Sequence, residues 1–161
     1  MTNNEVREWI QYACDCNGRP DIAASIKLVW SNRMTKSMGI AAKRGGAYTI
    51  KLSAKLFGRA TCEQRRDTVI HEACHVIDGI VNKVRMSHGR GWKACMVSAD
   101  CEPSRYHTVS TAGLVRRFVY TCRCDTVFRV TPNMHSKIVR GSCRVCKKCK
   151  GVIEYTGKME G

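Results

Sequence analysis

Within residues 62–84 the apolar side chains Val69, Ile70, Ala73, Val76, Ile77 and Ile80 recur at the three- and four-residue spacing of a helix with one buried face. Thr61 suits the N-cap, and Glu63 and Asp67 lie near the positive end of the helix dipole. This helix carries His71-Glu72-Ala73-Cys74-His75. Histidines four residues apart share a helix face, with β-carbons ~6 Å apart, so both imidazoles can reach one ion. Glu72, one residue along, can take a proton from a metal-bound water without itself ligating. A chain of this composition would produce His-Glu-x-x-His by chance only roughly 0.007 times, which disfavours two unrelated surface histidines.

A catalytic zinc wants three protein ligands and one open position. The longer metzincin pattern would need glycine at position 78 and histidine at 81; Asp78 and Val81 exclude it. Asp100 and Glu102 are downstream acids at possible spacing, and His107 is a further histidine. His88, in Ser87-His88-Gly89-Arg90-Gly91-Trp92, is the better third ligand, because a glycine-flanked turn just after the helix lets the chain fold back toward the ion. Asp78, one turn past His75, reads as a hydrogen-bonding partner behind the ligands or as a solvated acid.

Around this helix the chain reads as α+β. Residues 3–16 place Val6, Trp9, Ile10 and Ala13 on one helix face, ended by Asn17-Gly18-Arg19-Pro20. Ile26–Trp30 and Ala47–Leu52 read as strands, pairing antiparallel, with Met38–Ala42 as a third and Lys43-Arg44-Gly45-Gly46 as a turn. Residues 90–100 read as another helix, through Trp92, Ala94, Cys95 and Met96. From Phe118 the texture changes to short strand-like pieces, paired cysteines and many cations. That change sets a boundary near residues 113–118, giving domains 1–114 and 115–161.

The 161 residues contain 11 cysteines, and the start, Met1-Thr-Asn-Asn-Glu-Val-Arg-Glu, has no apolar leader. No apolar run approaches the ~20 residues of a membrane span. A reducing, cytoplasmic or nucleoid-associated location (a host cytoplasm for a viral protein) is expected, where cysteines ligate metal rather than form disulfides. Cys122 and Cys124, some twenty residues before Cys146 and Cys149, can form a four-sulfur zinc site. Cys143-Arg144-Val145-Cys146 is an alternative second pair. Cys14, Cys16, Cys62, Cys74, Cys95 and Cys101 read as small buried hydrophobes, Cys14 and Cys16 also as a lone pair of possible ligands. A metal would tie together a C-terminal piece too short to be stable unaided.

The net charge is +15, which suits an anionic partner. Residues 115–161 hold 11 Lys and Arg against three acids. Arg116, Arg117, Arg123, Arg129, Lys137, Arg140, Arg144, Lys147, Lys148 and Lys150, with Tyr120 and Phe128 between them, suit phosphate contacts and base stacking. With no recognition helix apparent, DNA binding is expected to be sequence-independent.

Trp30-Ser31-Asn32-Arg33-Met34-Thr35, Gly39, Tyr48-Thr49-Ile50-Lys51-Leu52-Ser53, the His-Glu-x-x-His helix, His88-Gly89 and Tyr106-His107 together resemble the SprT-like family, which includes the Spartan proteases. The resemblance spans roughly residues 5–153. It implies a minimal zincin, with helices packed on a small antiparallel sheet, followed by a zinc ribbon. It also implies two zinc ions: a catalytic one on His71, His75 and His88 with Glu72 as catalytic residue, and a structural one on Cys122, Cys124, Cys146 and Cys149. The tight C-x-C pair, preceded by Tyr120, fits that family, and Gly151 and Ile153 favour Cys146 and Cys149 over Cys143. Tyr106 and His107 are candidate oxyanion donors. The implied function is proteolysis of proteins bound or crosslinked to DNA by a monomer that does not enter membranes. The alternative is a DNA-binding accessory protein whose zincin site is structural or inactive.

Overall fold

The computed structural model describes residues 2–104 and 109–161. Arg105, Thr108 and the two candidate oxyanion donors, Tyr106 and His107, lie outside the described residues. The chain divides into two compact units, Met1–Ser110 and Thr111–Gly161.

In the first unit, helix α1 (Asn3–Cys16) starts at a Thr2–Glu5 capping box and buries Val6, Ile10, Ala13 and Cys14. A short α2 (Pro20–Ala23) leads into a three-stranded sheet of β1 (Ile26–Ser31), β2 (Gly39–Arg44) and β3 (Ala47–Ser53). A one-turn α3 (Ala54–Phe57) follows. Helix α4 (Cys62–Val81) begins at Thr61, whose hydroxyl accepts from the Gln64 N–H while the Gln64 side chain accepts from the Thr61 N–H. Val69, Ile70, Ala73, Val76 and Ile77 are buried as the periodicity requires, and Ile80 is half-buried. The helix stops three residues earlier than residue 84 because Lys83 takes a left-handed conformation (φ 52°). Helix α5 (Arg90–Ser98) packs beside α4 and buries Trp92 and Met96.

The α+β class holds, with one correction to strand direction. The strand order is β1-β3-β2, and β1 runs parallel to β3, with Ile26 opposite Tyr48 and Trp30 opposite Leu52. Only β2 and β3 are antiparallel. The cause lies in the two connections. Gly45 and Gly46, both at positive φ (55° and 85°), form a two-residue turn that can join only antiparallel neighbours. Residues 32–38 are long enough to cross two strand spacings of ~4.8 Å, which leaves the centre of the sheet for β3. β2 is thereby an edge strand, and it lies against α4.

In the second unit, β4 (Arg117–Thr121) is flanked by β5 (Phe128–Val130) and β6 (Glu154–Glu160), both antiparallel to it. Between β5 and the second cysteine pair lies α6 (Pro132–Val139), capped by Thr131. Its proline at the first turn and its Met134 and Ile138 spacing are helix signals within a stretch whose other pieces read as short strands. The buried core of this unit is small: Val119, Tyr120, Cys122, Cys146 and Ile153.

Thr61→Ala removes a hydroxyl that satisfies one otherwise unpaired amide of α4. The expected loss is about 1 kcal/mol of unfolding free energy, read from the shift in urea midpoint.

Candidate metal centres

The buried stripe of α4 rotates His71 and His75 to the face beside β2, and the glycine-flanked turn before α5 returns His88 to the same point. The three Nε2 atoms are mutually close: His71 to His75 3.2 Å, His75 to His88 3.2 Å, and His71 to His88 3.1 Å. Tetrahedral zinc–nitrogen bonds of ~2.0–2.1 Å put ligand atoms about 3.3–3.4 Å apart, so this donor set fits a zinc ion. Asp100 and Glu102 are not part of the group. Burial, followed by the neighbouring imidazoles, lowers the pKa of His71 to about 4. Burial and then His88 lower that of His75 to about 4. Both rings are therefore neutral at pH 7 and ready to ligate without losing a proton.

In the helical pattern of residues 90–100 Trp92 reads simply as core. It is fully buried, and its indole touches all three imidazoles. It stacks on His75 (5.4 Å, 22° between planes) and lies edge-on to His71 (4.7 Å) and His88 (4.6 Å). Its Nε1–H donates to the His71 carbonyl at 3.2 Å. One rigid side chain thus forms the wall that sets the ring orientations. The only sequence signal was its place four residues after His88.

Glu72 is buried beneath β2. The Ala41 N–H donates to its Oε2 at 2.6 Å. A β-carbon at Gly39 would come within 2.6 Å of Glu72 Cγ, so glycine is what lets the edge strand approach the carboxylate. Burial raises the Glu72 pKa to about 7, against the opposing effect of the Ala41 hydrogen bond. A carboxyl poised near neutrality can both accept and return a proton at physiological pH. The imidazoles and Glu72 open onto a cleft of ≈710 Å³, also lined by Met38, Ile40, Asp67, Met86 and Glu102.

The second unit gathers Cys122, Cys124, Cys146 and Cys149, with all four Sγ atoms within 4.8 Å of one another. Cys122 lies 3.2 Å from Cys124 and 3.7 Å from Cys149, and Cys124 lies 3.9 Å from Cys146. Zinc–sulfur bonds of ~2.3 Å imply separations near 3.8 Å, so this set also fits zinc. Cys143 is exposed and outside the group. Each pair sits on a tight turn. The Asp125 N–H donates to the Cys122 carbonyl (2.8 Å) and the Lys150 N–H to the Cys146 carbonyl (2.9 Å). The residue after each pair, Asp125 or Lys150, is left-handed (φ 57° and 58°). The Thr126 hydroxyl, 3.2 Å from Cys124 Sγ, is the first cause lowering that thiol's pKa to about 6. Burial raises that of Cys122 to about 11.

Among the remaining cysteines, Cys14, Cys74 and Cys101 are buried, whereas Cys16 and Cys62 are exposed. The buried-hydrophobe reading fails for those two because they fall on the solvent side of their helix ends. Neither Cys14 nor Cys16 belongs to a metal-capable group among the described residues.

The cations of the second unit divide. Arg129 pairs with Glu160 (2.7 Å). Arg123 donates to the Cys149 carbonyl and lies along Gly151. Arg140 donates to the Ser136 carbonyl at the end of α6. Arg117 is half-buried on β4, and Arg116 is exposed just before it. Arg144, Lys147, Lys148 and Lys150 are exposed around the second cysteine turn.

Three convergent imidazoles on and beside a helix, with a buried glutamate under an edge strand, define a candidate His-Glu-x-x-His metal centre on a small α+β scaffold. A model of the SprT-like family matches residues 7–112, and the chain belongs to that family. It is 27% identical over 114 residues to "Protein SprT" of Pseudomonas fluorescens, covering 68% of this chain and 70% of that protein. A "Protein SprT" of Pseudomonas putida is 30% identical over 97 residues, covering 58% and 59%. The "Germ cell nuclear acidic-1 protein" of Caenorhabditis elegans is 29% identical over 137 residues, covering 78% of this chain but 24% of the nematode protein. Among the described residues no helix is long and apolar enough to cross a membrane.

The shifted groups fix a pH dependence for the metal-free protein. His71 and His75 bind protons far more readily unfolded (ordinary pKa 6.5) than folded (about 4), so stability falls on acidification between those values. Glu72, raised from 4.5 to about 7, acts in the opposite sense, but one group does not offset two. The urea midpoint of chelator-treated protein should therefore be lower at pH 5 than at pH 6.5.

Proposed function

We propose that the chain is a zinc-dependent protease of the SprT-like type that cleaves proteins bound or crosslinked to DNA. The observation that carries the reading is the buried Glu72 carboxylate, hydrogen-bonded to the edge strand beside three mutually adjacent imidazole nitrogens. His71, His75 and His88 would hold the metal, and its chemistry when bound is to polarise a peptide carbonyl and acidify a water. Glu72 takes the proton from the attacking water on its carboxylate and returns it to the leaving amine nitrogen. Burial, which keeps this carboxyl near neutrality, serves both transfers. Among the described residues no strand pairs with the outer side of β2, so an extended polypeptide can lie along it as an added strand, its scissile bond over the cleft.

The cysteine unit would carry DNA. Arg144, Lys147, Lys148 and Lys150 offer an exposed cationic turn for phosphates, with Arg116 and Arg117 as further contacts. Arg123, Arg129 and Arg140 are exposed as well, but each is engaged by a neighbouring carbonyl or carboxylate. A site of this kind reads charge rather than sequence.

The test is cleavage of a DNA-binding protein, with and without DNA, by wild type and Glu72→Gln. Wild type should cleave faster with DNA, and Glu72→Gln should lose about 10²–10⁴-fold in rate. Survival of the biological activity in Glu72→Gln would favour the accessory DNA-binding role. DNA affinity should fall steeply with salt, with a log–log slope that shallows by about one for each phosphate-contacting lysine removed, as in Lys147→Ala.

A further inference from the structure

Asp78 is a buried carboxylate that the proposed reaction does not use. It lies on α4 one turn beyond His75 and is only 3% exposed. The Asn82 side-chain amide donates to its Oδ1 at 2.7 Å, and among the described residues no cation pairs with it. A carboxylate taken out of water is costly unless something nearby compensates it.

The compensation lies on α5. A β-carbon at Gly91 would fall 2.0 Å from Asp78 Oδ1 and 2.7 Å from Asn82 Nδ2. The carboxylate therefore fills the space over the first turn of α5 that a side chain would otherwise occupy. That nine-residue helix begins at Gly89, which has no side chain to cap it, and carries no acid in its first turn. Asp78 is thus the negative group placed beside the positive end of the α5 dipole. The turn it touches is flanked by the residues that complete the histidine cluster. His88 immediately precedes the Gly89 cap, and Trp92, which contacts all three imidazoles, follows Gly91.

We propose that Asp78 is a positioning residue for the histidine site: it clamps the first turn of α5 to α4, and so holds His88 and Trp92 against His71 and His75. This rests on the three histidines forming a metal site, but not on the reaction catalysed there. Through this clamp Asp78 affects metal affinity without reaching the metal. The two helices meet at Gly91, so the clamp can be broken from either side, by removing the carboxylate charge or by placing a β-carbon at Gly91 against it.

The experiment is a Co²⁺ titration of the full chain, followed by the d–d bands of nitrogen-ligated cobalt. The separate sulfur-to-cobalt bands of the cysteine site serve as an internal control. Asp78→Asn should weaken cobalt binding at the histidines about tenfold, the range found when groups that orient metal ligands are removed. The cysteine-site bands should be unchanged. Gly91→Ala, whose β-carbon would fall 2.0 Å from Asp78 Oδ1, should also weaken binding, and the two losses should not add in the double variant, as independent packing defects would. Wild-type cobalt affinity in folded Asp78→Asn, or losses in the two variants that simply add, overturns the proposal. Should Asp78→Asn fail to fold, Asn82→Ala, which removes the carboxylate's hydrogen-bond donor, should still weaken cobalt binding about threefold; unchanged affinity there overturns it equally. If wild type shows no nitrogen-ligated cobalt, the metal reading itself falls. If proteolysis fails to depend on Glu72 while cobalt responds as described, the protease reading falls and the clamp stands.

Discussion

Three imidazole nitrogens held 3.1–3.2 Å apart are an arrangement that neutral rings in water would not keep. Two of the rings lie a helical turn apart on α4, and the third comes from a turn thirteen residues past His75. The first unit is organised to keep them together. The apolar stripe of α4 anchors one side, and Trp92 supplies a fully buried wall on the other. Desolvation lowers the pKa of His71 and His75 to about 4, so both rings stay neutral and each can offer one nitrogen lone pair to an ion. Two glycines allow the approaches that this geometry requires. Gly39 lets the edge strand reach Glu72, and Gly91 lets α5 close onto Asp78.

The second unit meets a similar demand with less material. Among the described residues its buried core comprises five, two of them cysteines of the metal-capable group. So little apolar burial makes ligand convergence a large part of what holds the piece together. The cations divide accordingly. Arg123 bonds the Cys149 carbonyl and Arg129 pairs with Glu160 of β6, while Arg144, Lys147, Lys148 and Lys150 surround the second cysteine turn.

Much of this was legible in the sequence because it is local. Helical periodicity and the Thr61 cap locate α4 within a few residues, and the glycine pair at 45–46 locates the hairpin. The parallel β1–β3 pairing was not legible, because strand direction depends on where residues 32–38 lead the chain rather than on any residue within the strands. Nor was the role of Trp92, since a buried tryptophan in a helix pattern looks like ordinary core. The approach of Asp78 to Gly91 links positions thirteen residues apart on different helices, and nothing in their spacing announces it. Arg123 and Arg129 show a smaller gap: composition marks them as surface charge, which they are, but not that one bonds the Cys149 carbonyl and the other pairs with Glu160.

The chain brings together two chemically different donor sets, three nitrogens in the first unit and four sulfurs in the second, and each fits a zinc ion. Zinc K-edge X-ray absorption on the purified full chain tests it most directly. The account predicts an averaged spectrum with both a nitrogen/oxygen shell near ~2.0 Å and a sulfur shell near ~2.3 Å, and a sulfur shell alone in His71→Ala. A purely sulfur spectrum from fully zinc-loaded wild type would contradict it.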